Sequence, residues 1–180
     1  IIYPKIVDYF LNKLIPHKIA VYEAGLELAE GEAFCDLYNA SKFDLEQYFE
    51  NLWLHDLSKF SAIESITYAL HDFKKNEFSP EMKVAWAHHK SHNPHHPEYW
   101  LNPSKSGELD PIPMPDIYIL EMIADWIGAG RTYGNELETW LPDNLYKFLW
   151  HKETANKVQF ILEKMDFKID RHGNVLYIGK

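Results

Sequence analysis

The chain has 180 residues, 46% hydrophobic and 15% aromatic, enough apolar side chain for one packed core and too much for a disordered segment. Its formal net charge is −9, from 27 acidic residues against 18 Lys and Arg, which argues against binding duplex nucleic acid. Cys35 has no second cysteine to pair with, no uncharged apolar run approaches the roughly 18–20 residues that cross a bilayer, and Ile1–Phe10 carries Lys5 and Asp8, unlike a secretory signal. The expectation is a soluble, cytoplasmic, single domain over residues 1–180.

In chain order, Ile6, Phe10, Leu11 and Leu14 mark one face of a first helix, and Pro16 suits the first turn of a second, from about His17 to Ala29, with Gly31 as its terminator. Leu45, Tyr48, Phe49, Leu52 and Trp53 give a helix from about Asp44 to Asp56. Ser61-Ala-Ile-Glu64 has the form of a capping box, and Ser79-Pro80-Glu81 opens another helix with a cap, a proline and an acid. Asn93 to Pro115 holds six prolines and reads as a long His/Pro-rich loop with one helical turn near Glu98–Trp100. Asp116 to Gly130 is a strongly apolar helix, followed by helices near Asp143–Trp150 and His151–Met165. The tail from Lys168 to Gly179 alternates around His172-Gly173-Asn174, as a short hairpin or extended tail does. The fold class is all-α.

Ten histidines are present, and His88, His89, His92, His95 and His96 crowd one short stretch flanked by Trp86, Tyr99 and Trp100. Imidazole with carboxylate favours transition metals over magnesium or calcium; the alternative is a surface tract. His55-Asp56 ends an apolar run, where the pair could share a metal lying between two side-chain directions about 100° apart on a helix, or form a helix-end hydrogen bond. Lys59 would lie on the same side. His71-Asp72, beside Lys74 and Lys75, reads as a solvated helix end. Asp125 sits within the apolar run Ile119–Ile127 and is costly to bury unless paired or metal-bound; Glu121 shares its face, and Arg131 is a possible salt-bridge partner. His17 opens a helix with the apolar face Ala20, Val21, Ala24 and Leu28 and could be a core histidine.

The order His17, His55-Asp56, Asp125, with Lys59 completing His-Asp-x-x-Lys, resembles the HD-domain superfamily of metal-dependent phosphohydrolases. The stretches His-Asp-Leu-Ser-Lys-Phe, Asn-Pro-His-His-Pro-Glu-Tyr-Trp and Glu-Met-Ile-Ala-Asp-Trp resemble a narrower group of small HD-like bacterial and phage proteins with no established activity, over roughly His17 to Gly134. The resemblance implies an HD-like helical bundle in which His17, His55, Asp56 and Asp125 hold one divalent transition metal (Mn, Fe, Co, Ni or Zn). A second ion would draw on His89, His95 and His96, with His89 preferred to His88 because Met82, Ala85, Trp86 and His89 share a face. The implied activity is hydrolysis of a small phosphate ester or anhydride, with a nucleotide expected. Asp56, Lys59 and His92 are the candidate catalytic groups, His92 (or whichever of His95 and His96 is not a ligand) acting as leaving-group acid. Lys59, Arg131 and Tyr133 are the candidate substrate contacts. A di-iron oxygenase and a non-catalytic metal-stabilised binding protein are the alternatives.

Overall fold

A computed structural model describes residues 2–71, 78–104, 106–170 and 174–179. Helix α1 (Tyr3–Tyr9) runs without a break through a π turn (Phe10–Leu14) into α2 (Ile15–Ala29). The expected two helices are therefore one bent rod. Pro16 has no N–H to donate, and the wider turn just before it absorbs that defect. The π turn also rotates the apolar face, so Leu14 is fully buried while Leu11 is 60% exposed. Gly31 does break the chain, but as the N-cap of an unexpected helix, α3 (Glu32–Ser41).

Asp44 caps α4 (Leu45–Leu54) by accepting from the Gln47 N–H. The helix stops earlier than the periodicity predicts. His55 is already extended, Asp56 is left-handed at φ 57°, and a 3₁₀ turn (Leu57–Phe60) follows. Ser61 and Ser79 cap α5 (Ala62–Leu70) and α6 (Pro80–His92) through the Glu64 and Met82 N–H groups. His71 closes α5, while Asp72, Lys74 and Lys75 of the proposed solvated end lie outside the described residues.

The proline-rich segment contains the expected turn, at Pro97–Trp100, and a small ladder not foreseen. Strands β1 (Leu101–Pro103) and β2 (Leu109–Pro111) pair antiparallel with Leu101 opposite Pro111. The long helix α7 (Asp116–Tyr133) passes Gly130 and ends at Gly134, whose φ of 79° supplies the left-handed cap. The helix expected near Asp143–Trp150 lies earlier, as α8 (Leu137–Asn144) with Pro142 inside it, and then a 3₁₀ turn at Leu145–Lys147. His151 caps α9 (Lys152–Lys164). The tail is a hairpin of β3 (Phe167–Ile169) and β4 (Val175–Tyr177); His172 and Gly173 lie outside the described residues.

The result is an all-α bundle built around α7. Ile119, Leu120, Met122, Ile123 and Ala124 of that helix are all buried, as in a helix covered on every side. They pack with Val21 and Ala24 of α2, Tyr48 and Leu52 of α4, and Val158, Ile161 and Leu162 of α9. A smaller cluster joins Tyr9 and Leu14 to Tyr68 of α5 and Met82 and Ala85 of α6. No helix among the described residues is long and apolar enough to cross a membrane.

Two glycines permit the tight packing at the centre. A Cβ on Gly128 would lie 2.7 Å from the Val21 nitrogen and 2.8 Å from its Cα, and one on Gly25 would run into the Leu52 side chain. Each glycine sits within a turn or two of a chemically interesting residue: Val21 follows His17 by one turn, Gly128 follows Asp125, and Leu52 precedes His55. Gly128→Ala should therefore force α2 and α7 apart and lower unfolding stability by roughly 1–3 kcal/mol, read as a shift in the denaturant midpoint. An unchanged midpoint would show that the helices have slack there.

Candidate metal centre

Five separate stretches of chain deliver polar side chains to one buried point. His17 comes from the start of α2, His55 and Asp56 from the break after α4, His89 from α6, His95 and His96 from the following loop, and Asp125 from α7. His17, His55, Asp56, His89 and His95 are each no more than 2% exposed. His17 Nε2 is 3.0 Å from Asp125 Oδ1, and His55 Nε2 is 3.4 Å from the same oxygen.

Asp56 lies at the middle, and its two oxygens face different partners. Oδ2 is 3.5 Å from His17 Nε2 and 3.6 Å from His55 Nε2; Oδ1 is 3.3 Å from His89 Nε2 and 3.6 Å from His95 Nε2. The left-handed backbone at residue 56 makes this possible. It is a conformation few residues other than glycine adopt, though Asp tolerates it better than most. Two neighbouring residues therefore reach one site through a chain reversal, and not through the helical geometry expected. Lys18 of α2 donates to the His55 carbonyl and satisfies the end of α4.

Buried glutamates hold the Nδ1 edges of four rings, three of them in the centre. Glu121 Oε1 lies 3.0 Å from both His55 Nδ1 and His95 Nδ1. Glu64 Oε2 lies 2.9 Å from His89 Nδ1, and its Oε1 is 2.6 Å from His88 Nδ1. A carboxylate on Nδ1 fixes the proton there and leaves Nε2 as a lone pair aimed inward, the arrangement that orients metal-binding histidines. Among the described residues, His55 Nε2, His95 Nε2 and Asp56 Oδ1 are buried without a hydrogen-bond partner, and unpaired buried polar atoms of this kind are costly unless something else contacts them. Three overlapping groups fit a cation: His17, His55 and Asp56; His55, His95 and Asp125; and Asp56, His89, His95 and His96. Within each group the ligand atoms lie within 4.8 Å of one another. These buried imidazoles and carboxylates could hold a metal ion.

The electrostatics of the protein alone show how much negative charge the site concentrates. Burial opposes a charged His55, but Asp56, Asp125 and Glu121 override it and push its pKa up to about 10. Burial also opposes ionisation of Asp56, yet Lys59, His55 and His89 hold that carboxylate well below its ordinary range. Lys59 Nζ is 2.5 Å from Asp56 Oδ2. His96 is kept neutral by burial and by its neighbours His95 and His89; its Nε2 is 2.9 Å from His89 Nε2. The Tyr133 ring, in a residue that is 45% exposed, stacks on His17 at 5.4 Å, and its hydroxyl is a donor at neutral pH.

One expected participant stands at the rim of the site and another is elsewhere. His92 is exposed at the end of α6, stacked on His88 with its Nδ1 2.8 Å from the His88 carbonyl. His92 follows His89 by three residues, on the same side of the helix, and lines the cavity that reaches Asp56. Arg131 lies six residues beyond Asp125, on another face of α7, where it makes a two-pronged ion pair with Glu27 (2.9 and 2.5 Å) and none with Asp125 among the described residues. The capping box accounts for only part of what Glu64 does. Ser61 does cap the Glu64 N–H, but the glutamate side chain crosses to the histidines. A cavity of about 410 Å³ reaches Asp56 and Glu121 past Asn51, Ser58, His92, Asn93 and Tyr118, and a second opens at His95, His96 and Asp125.

Two outcomes follow from this geometry. Glu121→Gln should lower transition-metal affinity by about 10–100-fold while leaving a folded chain, measured by competition with a chelating dye; unchanged affinity would show that Glu121 does not orient the ligands. Metal loading near pH 8 should also release a proton, because His55 must become neutral to bind. The sign is that of a raised pKa. The imidazolium stabilises the metal-free protein in full below about pH 6.5 and ceases to as the pH rises through about 10. Calorimetry in buffers of different ionisation enthalpy counts the protons, and a count of zero would contradict the charge assigned to His55.

No curated protein and no solved structure matches the chain significantly. A family described as "Family of unknown function (DUF5662)" matches residues 7–167, a span that includes every residue of the centre. The chain belongs to the DUF5662 family.

Proposed function

We propose that the protein is a metal-dependent phosphohydrolase acting on a small phosphate ester or anhydride, of the broad HD-domain kind. The observation that carries this reading is Asp56, with one oxygen facing the His17/His55 side and the other the His89/His95 side. That is the position of a carboxylate shared by two cation sites. A metal bound there supplies Lewis-acid charge and a water of lowered pKa.

The chain's own groups account for the remaining work. Asp56 and Asp125 concentrate negative charge that draws in cations, while Glu121 and Glu64 keep the Nε2 atoms pointed inward. Lys59 stays charged beside Asp56 and is placed to offset charge that grows on phosphoryl oxygens, usually the largest single contribution to catalysis. Tyr133 remains protonated beside His17 and can donate to the same oxygens. His92 lines the cavity that reaches Asp56 and Glu121 and is the candidate leaving-group acid.

A shared carboxylate among many imidazoles also suits a pair of irons that react with oxygen, and metal analysis separates the two readings. Protein purified without oxygen should carry manganese, cobalt, nickel or zinc and hydrolyse members of a phosphate-ester panel; two tightly held irons and an oxygen-sensitive absorption band would favour the oxygenase. Asp56→Asn keeps the side-chain shape at a left-handed position and should reduce hydrolysis at least about 100-fold, or roughly 2.7 kcal/mol. Full activity in that variant would remove Asp56 from the chemistry.

A further inference from the structure

The rod formed by α1, the π turn and α2 presents an apolar edge to solvent. Tyr3, Val7, Leu11, Ile15 and Ile19 follow one another at intervals of four, and each is exposed, from 40% at Ile15 to 75% at Tyr3. In a plain α-helix, residues four apart drift by about 40° per step, so these positions would spiral through roughly 160°. The π turn at Phe10–Leu14 fits an extra residue into the rod and takes back about 100° of that drift. The positions are thereby brought into a nearly straight stripe, which the exposed Leu26 continues two turns further on. At 1.5 Å per residue the stripe is roughly 35 Å long.

The stripe has an apolar shoulder. Phe10 stacks on Phe60 at 5.1 Å, and Tyr22 meets Trp53 edge-on at 6.4 Å. These contacts set Trp53, Leu57 and Phe60 beside the rod, and all three are exposed, Trp53 at 71%. Scaled by exposure, stripe and shoulder together present roughly 700 Å² of apolar side chain. That exceeds the few hundred Å² usual on a monomer and approaches the roughly 800 Å² per partner that a stable interface covers.

Charge selects the occupant and its direction. The N-terminal half of the rod carries Lys5, Lys13 and Lys18 against Asp8, and the C-terminal half carries Glu23, Glu27 and Glu30 with no Lys or Arg. These acids, on a chain of net charge −9, oppose an anionic lipid surface. Two rods laid in the same direction would bring the glutamates of both copies together. Laid head to tail, each acidic half meets the basic half of the other copy. The face is therefore complementary to itself under a two-fold rotation.

We propose that this face is a dimer interface for a second copy of the chain, with the rods antiparallel and the two-fold axis near Ile15, the middle of the stripe. Leu11 of one copy then lies against Ile19 of the other. Leu57 belongs to the shoulder and also lines the cavity that reaches Asp56, so the interface borders the approach to the His/Asp centre. The proposal is independent of the reaction carried out there.

Analytical ultracentrifugation over a wide concentration range tests the association, and cross-linking tests the direction. The chain should sediment as a dimer. Val7→Glu combined with Leu11→Glu should raise the dimer dissociation constant at least about 100-fold while the helical circular dichroism spectrum is kept, since both positions are exposed in one copy. Cys35 is exposed and is first replaced by Ser. In that background Ile15→Cys should be joined by a short bis-maleimide reagent and Tyr3→Cys should not, because antiparallel rods hold the two copies of residue 3 roughly 36 Å apart. A monomer at every concentration overturns the proposal, and a monomer that pellets with phosphatidylserine vesicles makes the face a lipid-binding edge instead. A dimer that survives the paired glutamates is built on another surface and overturns it as well. Equal cross-linking of both cysteines means parallel rods and overturns the antiparallel arrangement.

Discussion

Asp56 is a carboxylate with 2% of its surface exposed, and a charge so placed must be neutralised by what surrounds it. Lys59 neutralises part of it directly. Four imidazoles crowd the remaining approaches at 3.3–3.6 Å, distances at which nitrogen and oxygen face each other without a good hydrogen bond. Around these rings stands an outer layer of two glutamates, each serving two histidines. The site thus has the layered order of a metal centre: inward-facing lone pairs, then carboxylates that fix the tautomers, then an apolar shell from α2, α4, α6 and α7.

This arrangement also explains why the bundle is organised as it is. The main core packs α2, α4 and α9 onto α7, and the smaller one packs α1, α5 and α6 together. His17, His55 and Asp125 come from the first group, and His89 comes from the second. The centre is therefore the seam between the two apolar clusters, and a cation there would tie them together. The glycine contacts at Gly25 and Gly128 bring α2 close enough to both α4 and α7 for the seam to form.

Much of this was legible in the residues. A buried-looking histidine, a His-Asp pair and a lone Asp in an apolar helix each signal an expensive burial, and the structure brings these residues together. Capping signals at Ser61 and Ser79 placed α5 and α6, since a hydroxyl satisfying a free N–H is a local matter. The failures were non-local. Nothing in the periodicity near residue 12 announces a π turn, because that turn serves to fit Pro16 into a continuous rod. The left-handed Asp56 ends α4 at a point where the helical pattern continues to run. Glu64 looked fully explained as a cap, and its side chain's true partners lie some 25 residues away. Arg131 is near Asp125 in sequence, yet helical phase turns its side chain to another face of α7, where it meets Glu27.

The most direct measurement is anomalous diffraction at several transition-metal edges on one crystal of the metal-loaded protein. A peak is expected among His17, His55, Asp56 and Asp125 with bonds of about 2.0–2.2 Å, and a second on the His89 side of Asp56 if two ions bind. A map showing no anomalous density there, with the Lys59 ammonium alone against Asp56, would contradict it.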